Sequence, residues 1–295
     1  EATKNDPATW TVSRSRQGKD QKNQILINQT NLTSKFSVAG VQHTVASGIE
    51  FSHESQLNYN KAAPTGQTQV AANLYQPSVQ DAFLPLSLNG AKSEGATDTA
   101  AVYAFDTIEL TPEWLLSAGL RAEHYSTTTD NTAVQGVTKP QNIPVGTLLS
   151  THAAGSDNLL SYKAGVIYKP TADGSIYLSY ATSQLPPGGN SFQLSTSVTN
   201  QNNPAMDPQK GINLELGTKW NLLNNKLFAE AAIFESTNKN ELILDDVNTY
   251  LPIGEKTVRG AEFGLVGMPL ENWEIKAGLS LLDPEISRGT RIGTS

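Results

Sequence analysis

The chain has 295 residues, enough for one large domain or two smaller ones, and a net charge of -7 at pH 7. Only 17% of its residues are charged and 38% are hydrophobic, and no stretch approaches the run of about 20 apolar residues that a membrane-spanning helix needs. The acidic balance argues against nucleic acid as a partner, because phosphate binding requires a basic surface, and the lack of cysteine excludes disulfides and thiolate metal sites.

Apolar residues recur at every second position in five segments of the chain. In the first, Val45, Ile49 and Phe51 alternate with polar or small residues, and the last runs from Trp273 to Leu281 in the same way. A period of two is typical of a strand with one apolar and one polar face. In chain order, the five segments are residues 41–51, 114–122, 160–168, 212–220 and 273–281. A sixth segment, 226–237, predicts a strand with apolar residues on both faces.

Two kinds of connection alternate along the chain. Short, turn-forming segments lie at 38–40, 111–113, 170–174, 223–225 and 268–272. Long polar segments lie near 58–97, 127–157 and 185–209, with a shorter one near 246–253. Tight turns on one side and long loops on the other are typical of outer-membrane barrels, whose long loops are extracellular.

Aromatic residues favour the same fold. Trp114, Tyr168, Trp220 and Trp273 lie beside the short turns, and Tyr125 and Tyr180 lie near the far ends of their strands. Tyrosine and tryptophan side chains prefer the boundary between membrane and water. We therefore predict an all-β, antiparallel transmembrane β-barrel. Alternation alone would also suit a soluble β-sandwich, which stays open as an alternative.

Several segments resemble the barrel of TonB-dependent siderophore receptors. A proline-containing loop leads into a strand of the form E-x-G-x-K, and later strands have the forms R-G-x-E and W-x-x-x-x-G-x-S. The opening of the chain resembles the catecholate-siderophore subgroup (the Fiu/PiuA type). The segments concerned are residues 203–219, 225–234, 258–263 and 273–280 for the family, and 9–20 for the subgroup.

The resemblance implies an outer-membrane receptor that transports a ferric siderophore. About eleven strands are expected in this chain, whereas barrels of this family have about 22. Residues 1–295 would then form a partial barrel, with its two ends on opposite sides of the membrane and without the plug domain or TonB box. The implied partners are the ferric siderophore, outer-membrane lipid and lipopolysaccharide, and the TonB–ExbB–ExbD system, which would act through the plug. Such a fragment is not expected to fold as a receptor alone, because open sheet edges are not tolerated in a bilayer.

Four residues are candidates for contact with the ligand. A ferric tris-catecholate is an anion, so basic and aromatic side chains should attract it. Arg14 and Arg16 lie in a basic cluster near the start of the chain and are expected to share one face, and Tyr59 and Tyr75 lie in the first long loop. The two arginines would also suit lipopolysaccharide phosphates or plain solvation.

Charged residues of the later strands are expected to face the barrel lumen, if their apolar neighbours face lipid. There they would pair across the wall or contact a plug domain. The residues concerned are Glu215, Lys219, Glu230, Arg259 and Glu262.

No catalytic constellation is found in the sequence, and no covalently bound cofactor is expected. The four histidines, which are His43, His53, His124 and His152, are too widely spaced to share a metal ion, and no nucleotide-binding or hydrolase motif occurs. We predict a receptor rather than an enzyme. A passive porin and a soluble β-sandwich adhesin remain as alternatives. The long loops are rich in serine, threonine, asparagine and glutamine, whereas a porin constriction loop is usually rich in opposed charges.

Overall fold

The computed structural model describes residues 6–64, 66–136, 143–189, 192–244 and 250–288. These residues form one short 3-10 turn, Pro7–Thr9, and twelve strands. The strands are β1 (Thr11–Val12), β2 (Asp20–Val38), β3 (Val41–Ala62), β4 (Ala72–Asn73), β5 (Ser87–Glu109), β6 (Trp114–Val134), β7 (Leu148–Thr171), β8 (Gly174–Leu185), β9 (Gln209–Leu222), β10 (Leu227–Leu244), β11 (Tyr250–Leu270) and β12 (Trp273–Arg288). None of the helices in these ranges is long and apolar enough to cross a membrane.

Ten of the strands form one antiparallel sheet in which each pairs with its neighbours along the chain. The order is β12-β11-β10-β9-β8-β7-β6-β5-β3-β2, and the described sheet is open, with β2 and β12 at its edges. The sheet therefore has ten strands where about eleven were expected. The short strand β1, which is two residues long, pairs with β4 instead of joining this sheet. With an even number, β2 begins and β12 ends at the same rim, so the prediction of ends on opposite sides is wrong for the described sheet.

The short connections join strands at one rim of the sheet, which we call the turn rim. At Ala39 and Gly40 the φ angles are 50° and 85°, the left-handed pair that a two-residue hairpin turn requires. Asn224, Asn225 and Asn272 also have positive φ, a conformation that asparagine tolerates better than most residues. These turns fix the register of each hairpin and hence the face on which every side chain lies.

The long connections lie at the opposite rim, the loop rim, and two of them are shorter than predicted. They span residues 63–86, 135–147 and 186–208, because β3, β5, β6 and β7 extend beyond the predicted strand ends. In β6 the extension runs through Ser126–Asp130, where both faces carry polar side chains, so the alternating pattern disappears although strand pairing continues. The shorter connection near 246–253 falls partly outside the described residues.

The register separates the sheet into an apolar face and a polar face. The apolar face carries Phe51, Val102, Leu120, Ile233 and Leu279, whose exposed fractions are between 55% and 57%. A large exposed apolar surface of this kind is normally covered by lipid or by another protein surface. No second sheet covers it within the described residues, since the only other sheet there is the two-stranded β1–β4 pair. The arrangement therefore favours a lipid-facing wall over a β-sandwich.

Five of the six aromatic residues predicted at the membrane boundary lie on the apolar face. Trp114 stacks on Tyr168 near the turn rim, with ring centroids 4.6 Å apart, and Tyr162 and Tyr180 stack at 6.0 Å towards the loop rim. Tyr125 is the exception, because it lies on the polar face and is only 6% exposed. The prediction that Tyr125 lies at the membrane boundary is therefore wrong.

Arg259 lies on the opposite face from the other charged residues predicted to face the lumen. It pairs in register with Glu235 and Asp283 and shares the apolar face with Phe263, whereas Glu262 is on the polar face. Residues three positions apart cannot share a face of a regular strand, so the prediction was wrong for Arg259. Its guanidinium bonds Glu235 at 2.7 Å and Glu285 at 3.2 Å.

Placing a charge on the two faces should have different effects on stability. Leu216→Lys puts an ammonium group on the apolar face, within the membrane-covered part of β9, and should destabilise the folded receptor by about 2–4 kcal/mol. Asn213→Lys puts the same group on the polar face of the same strand and should cost much less. The measurement is the urea midpoint of the complete receptor in lipid vesicles, followed by heat-modifiable gel mobility. Equal losses for the two variants would contradict the assignment of the faces.

Candidate functional site

The connection 186–208 folds back onto the polar face of β5, β6 and β7 near the loop rim. We call it the folded loop. Thr127 and Thr129 of β6 are 0% and 1% exposed beneath it, and Leu194 of the loop is 2% exposed. A connection that buries its own side chains on the wall has a defined position instead of extending freely into solvent.

Thr129 holds the folded loop through its hydroxyl group. Its Oγ1 donates to the carbonyl oxygen of Phe192 at 2.9 Å and accepts from the backbone N–H of Leu194 at 2.8 Å. Beside it, the hydroxyl groups of Thr127 and Thr97 bond each other at 2.7 Å. Buried polar groups are costly when they are unpaired, so these bonds make the docked position specific.

Two glycines of the wall make room for the docked loop. A Cβ atom at Gly95 would lie 1.7 Å from the carbonyl oxygen of Phe192, and one at Gly155 would lie 2.9 Å from Cβ of Pro204. Phe192 itself has a φ of 52°, which is unfavourable for a residue with a side chain. The hydrogen bonds of Thr129 therefore hold the loop in a conformation that its backbone does not prefer.

The folded loop is also braced internally and against β10. Asn202 accepts the N–H of Gly188 through its side-chain oxygen at 3.2 Å, which ties the two ends of the loop together. Gln201 Nε2 donates to the carbonyl of Asn240 at 3.1 Å, and Asn240 Nδ2 donates to the carbonyl of Pro208 at 2.9 Å. The loop thus bridges two distant parts of the sheet at the loop rim.

Of the four predicted ligand contacts, Arg14 is already occupied by protein contacts. Its guanidinium donates to the carbonyl of Val70 at 3.0 and 3.1 Å, pairs with Asp81 at 3.2 Å, and lies 5.0 Å from the ring centroid of Phe83. It therefore anchors the connection 63–86 to the segment before β2.

Arg16 and Tyr75 remain accessible near that connection. Arg16 is exposed and makes no side-chain hydrogen bond or ion pair within the part of the chain that the structure describes. Tyr75 is 61% exposed and lies 6.1 Å from Trp10, measured between ring centroids. Arg14 and Arg16 lie between β1 and β2, outside any strand, so the prediction that they share a strand face does not apply.

Tyr59 lies in β3 and not in the first long loop. It pairs in register with Asp20 and Lys92 and lies on the apolar face, the same face as Phe51. It therefore points away from the side on which the folded loop lies. Sequence alone placed it in a loop because the polar end of β3 does not look like a strand.

Farther from the loop rim, polar side chains of neighbouring strands pair with each other on the polar face. Arg121 bonds Glu50 at 2.8 Å and Glu123 at 2.7 Å. Nearer the turn rim, Tyr177 donates to Glu215 at 2.6 Å and Lys219 lies 3.9 Å from Glu230. These last four residues and Glu262 line a concave site of about 530 Å³ with an acidic balance.

The histidines lie on the apolar face, each next to a polar side chain of a neighbouring strand. His43, His53 and His152 contact aspartates at 2.7, 2.7 and 2.8 Å, and His124 contacts Asn158 at 3.1 Å. Among the described residues, no group of three or more histidine, cysteine, aspartate or glutamate side chains is arranged to hold a metal ion.

Comparison with known proteins decides the family. A family profile described as TonB dependent receptor-like, beta-barrel, matches residues 2–292. The chain is 39% identical over 293 residues to the catecholate siderophore receptor Fiu of Escherichia coli O157:H7. The chain belongs to the TonB-dependent receptor β-barrel family. It also matches the probable TonB-dependent siderophore receptor PiuA of Acinetobacter baumannii, at 32% identity over 278 residues.

Solved structures of the same receptors share the fold of this TonB-dependent receptor barrel. The closed form of Fiu from E. coli K12 superposes with a TM-score of 0.90 at 36% identity, covering 98% of this chain and 42% of that one. PiuA of A. baumannii gives a TM-score of 0.75 at 29% identity, covering 91% and 39%.

The alignment with Fiu includes 96% of this chain but only 38% of the Fiu sequence. The alignment with PiuA includes 88% of this chain and 36% of the PiuA sequence. It thus spans less than two fifths of these receptors' length. The predicted family and the antiparallel transmembrane barrel segment are confirmed. Barrels of this family lie in the bacterial outer membrane. The relatives are receptors and not enzymes, as predicted.

Removing the hydroxyl group of Thr129 should loosen the folded loop. Thr129→Val keeps the volume but leaves two buried backbone groups of the loop without a partner, at a cost of about 1–3 kcal/mol. Proteinase K should then cut the folded loop about tenfold faster in the complete receptor. Thr128→Val is the matched control, because Thr128 is adjacent and lies on the apolar face. Unchanged cleavage of the Thr129 variant would show that its hydroxyl does not hold the loop.

Proposed function

We propose that this chain is part of an outer-membrane receptor that takes up a ferric siderophore of the catecholate type. The observation that carries the proposal is the match to the catecholate receptor Fiu along nearly the whole chain, at 39% identity. The match includes the folded loop and the wall beneath it, which would meet a ligand at the mouth of the barrel.

Each face of the sheet has a part in this function. The apolar face contacts lipid and, at the loop rim, lipopolysaccharide, while the polar face encloses a lumen. We place the loop rim on the extracellular side, because long loops of such barrels face outwards. The ferric siderophore would bind among these loops as the transported ligand. A plug domain outside this chain would occupy the lumen and couple transport to the TonB–ExbB–ExbD system.

The composition of the folded loop argues against a passive porin. A loop that constricts a porin usually carries opposed charges, whereas the described part of the folded loop contains a single charged residue, Asp207. Its other side chains are mostly serine, threonine, asparagine, glutamine and proline. Such a loop makes neutral hydrogen bonds and does not create a charged constriction.

Uptake of radioactive iron tests the proposed function directly. Cells that depend on the complete receptor should accumulate iron from a ferric catecholate complex, and the same cells without TonB should not. The control is a strain that lacks the receptor but retains TonB. Uptake that persists without TonB would contradict the proposal and favour passive diffusion through a pore.

Among the candidate contacts, Arg16 is the cation that is free to meet an anionic ferric catecholate. Arg16→Ala should weaken binding of ferric tris-catecholate to the complete receptor by about two- to fivefold, as expected for an exposed charge. Lys226→Ala removes the same charge at the turn rim and serves as the control. Equal affinities of the two variants for the ferric complex would show that Arg16 does not contact the ligand.

A further inference from the structure

A polar cavity lies between the folded loop and the wall. Its volume is about 330 Å³, and its lining comes from three elements of the fold. Asn131 belongs to β6 and Thr151 to β7, while Gln193, Asn200 and Asn202 belong to the folded loop. The cavity exists only while the loop is docked, because residues on both sides of it are held together through Thr129.

Some polar side chains of the lining already make hydrogen bonds, and others do not. Asn200 and Asn202 use their side-chain oxygens inside the loop, accepting the N–H groups of Asn202 at 2.9 Å and Gly188 at 3.2 Å. The side chains of Asn131, Thr151 and Gln193 have no hydrogen-bond partner among the residues that the structure describes. These three therefore present free donors and acceptors to one space from three separate elements.

The chemistry of the lining restricts what the cavity can hold. Among the residues that the structure describes, no charged residue and no aromatic ring lines it. Without a charged side chain it offers little to an ionic centre, and without an aromatic ring it offers no stacking surface. Amide and hydroxyl side chains each provide donors and acceptors, which match uncharged amide and hydroxyl groups.

We propose that this polar cavity is a subsite for the uncharged amide and hydroxyl groups that a siderophore carries next to its iron-binding rings. The proposal rests on the proposed function and adds a second determinant to it. The charge of the iron complex is met elsewhere, while Asn131, Thr151 and Gln193 recognise the ligand's neutral polar part.

Two ferric complexes separate this subsite from recognition of the iron centre. One is made with plain catechol, and the other with a catechol that carries a carboxamide and a hydroxyl group. The complete receptor should prefer the second complex by about tenfold, the effect of one or two neutral hydrogen bonds. Asn131→Leu with Thr151→Val should remove the preference and leave binding of the plain complex unchanged. Thr132→Val with Ser150→Ala is the control, because these residues pair on the apolar face of the same strands.

Each outcome has a distinct meaning. Loss of the preference in the cavity variant alone supports the subsite. A preference that survives in that variant, or that is missing from the unmodified receptor, overturns the subsite while the proposed function stands. Binding of neither complex to the unmodified receptor overturns the proposed function and the subsite with it. Heat-modifiable mobility and surface labelling of each variant verify that it is folded and exported.

Discussion

The pairing of every long strand with its neighbours is the constraint on which the rest of the structure depends. In a bilayer the backbone N–H and C=O groups have no water to bond, so they must be satisfied between strands. Once ten strands pair in register, alternate side chains are committed to opposite faces. The apolar face, the polar face and the position of each loop then follow from the turns that set the register.

The folded loop shows how such a wall acquires a specific site. Its backbone would be costly to bury without partners, and Thr129 supplies them from a strand that is otherwise part of the wall. Gly95 allows the carbonyl of Phe192 to approach closely, which no other residue would permit. Neutral polar groups thus position the loop, and the same types of group line the cavity beneath it.

The sequence predicted those parts of the fold in which chemistry alternates regularly. Segments such as 273–281 pointed to strands with two different faces, and the short turns gave the register. Prediction failed where the environment is polar on both sides, so that β6 beyond Tyr125 looked like a loop although it stays paired. The prediction that Arg259 faces the lumen also failed, because its position along β11 places it on the apolar face. Tyr59 was predicted in a loop, but it lies in β3 and the register places it on the apolar face.

The site itself was largely invisible in the sequence. Arg14 was chosen for its charge, yet that charge is engaged by Val70 and Asp81, which are contacts that no local pattern reveals. Thr129 lies in a run of threonines and has no distinguishing neighbour, and its importance comes from a loop more than sixty residues later. Long-range contacts of this kind depend on the arrangement of the whole sheet.

The central claim is that alternate residues of each strand face lipid and lumen, and single-cysteine spin labelling in β12 tests it most directly. The chain has no cysteine of its own, so any cysteine elsewhere in the complete receptor is first replaced by serine and each label then reports one position. In vesicles containing the complete receptor, labels at positions 277, 279 and 281 should collide readily with oxygen dissolved in the lipid, and labels at 278 and 280 should not. Oxygen accessibility without this alternation, or apolar positions shielded from both oxygen and water-soluble reagents, would contradict the account.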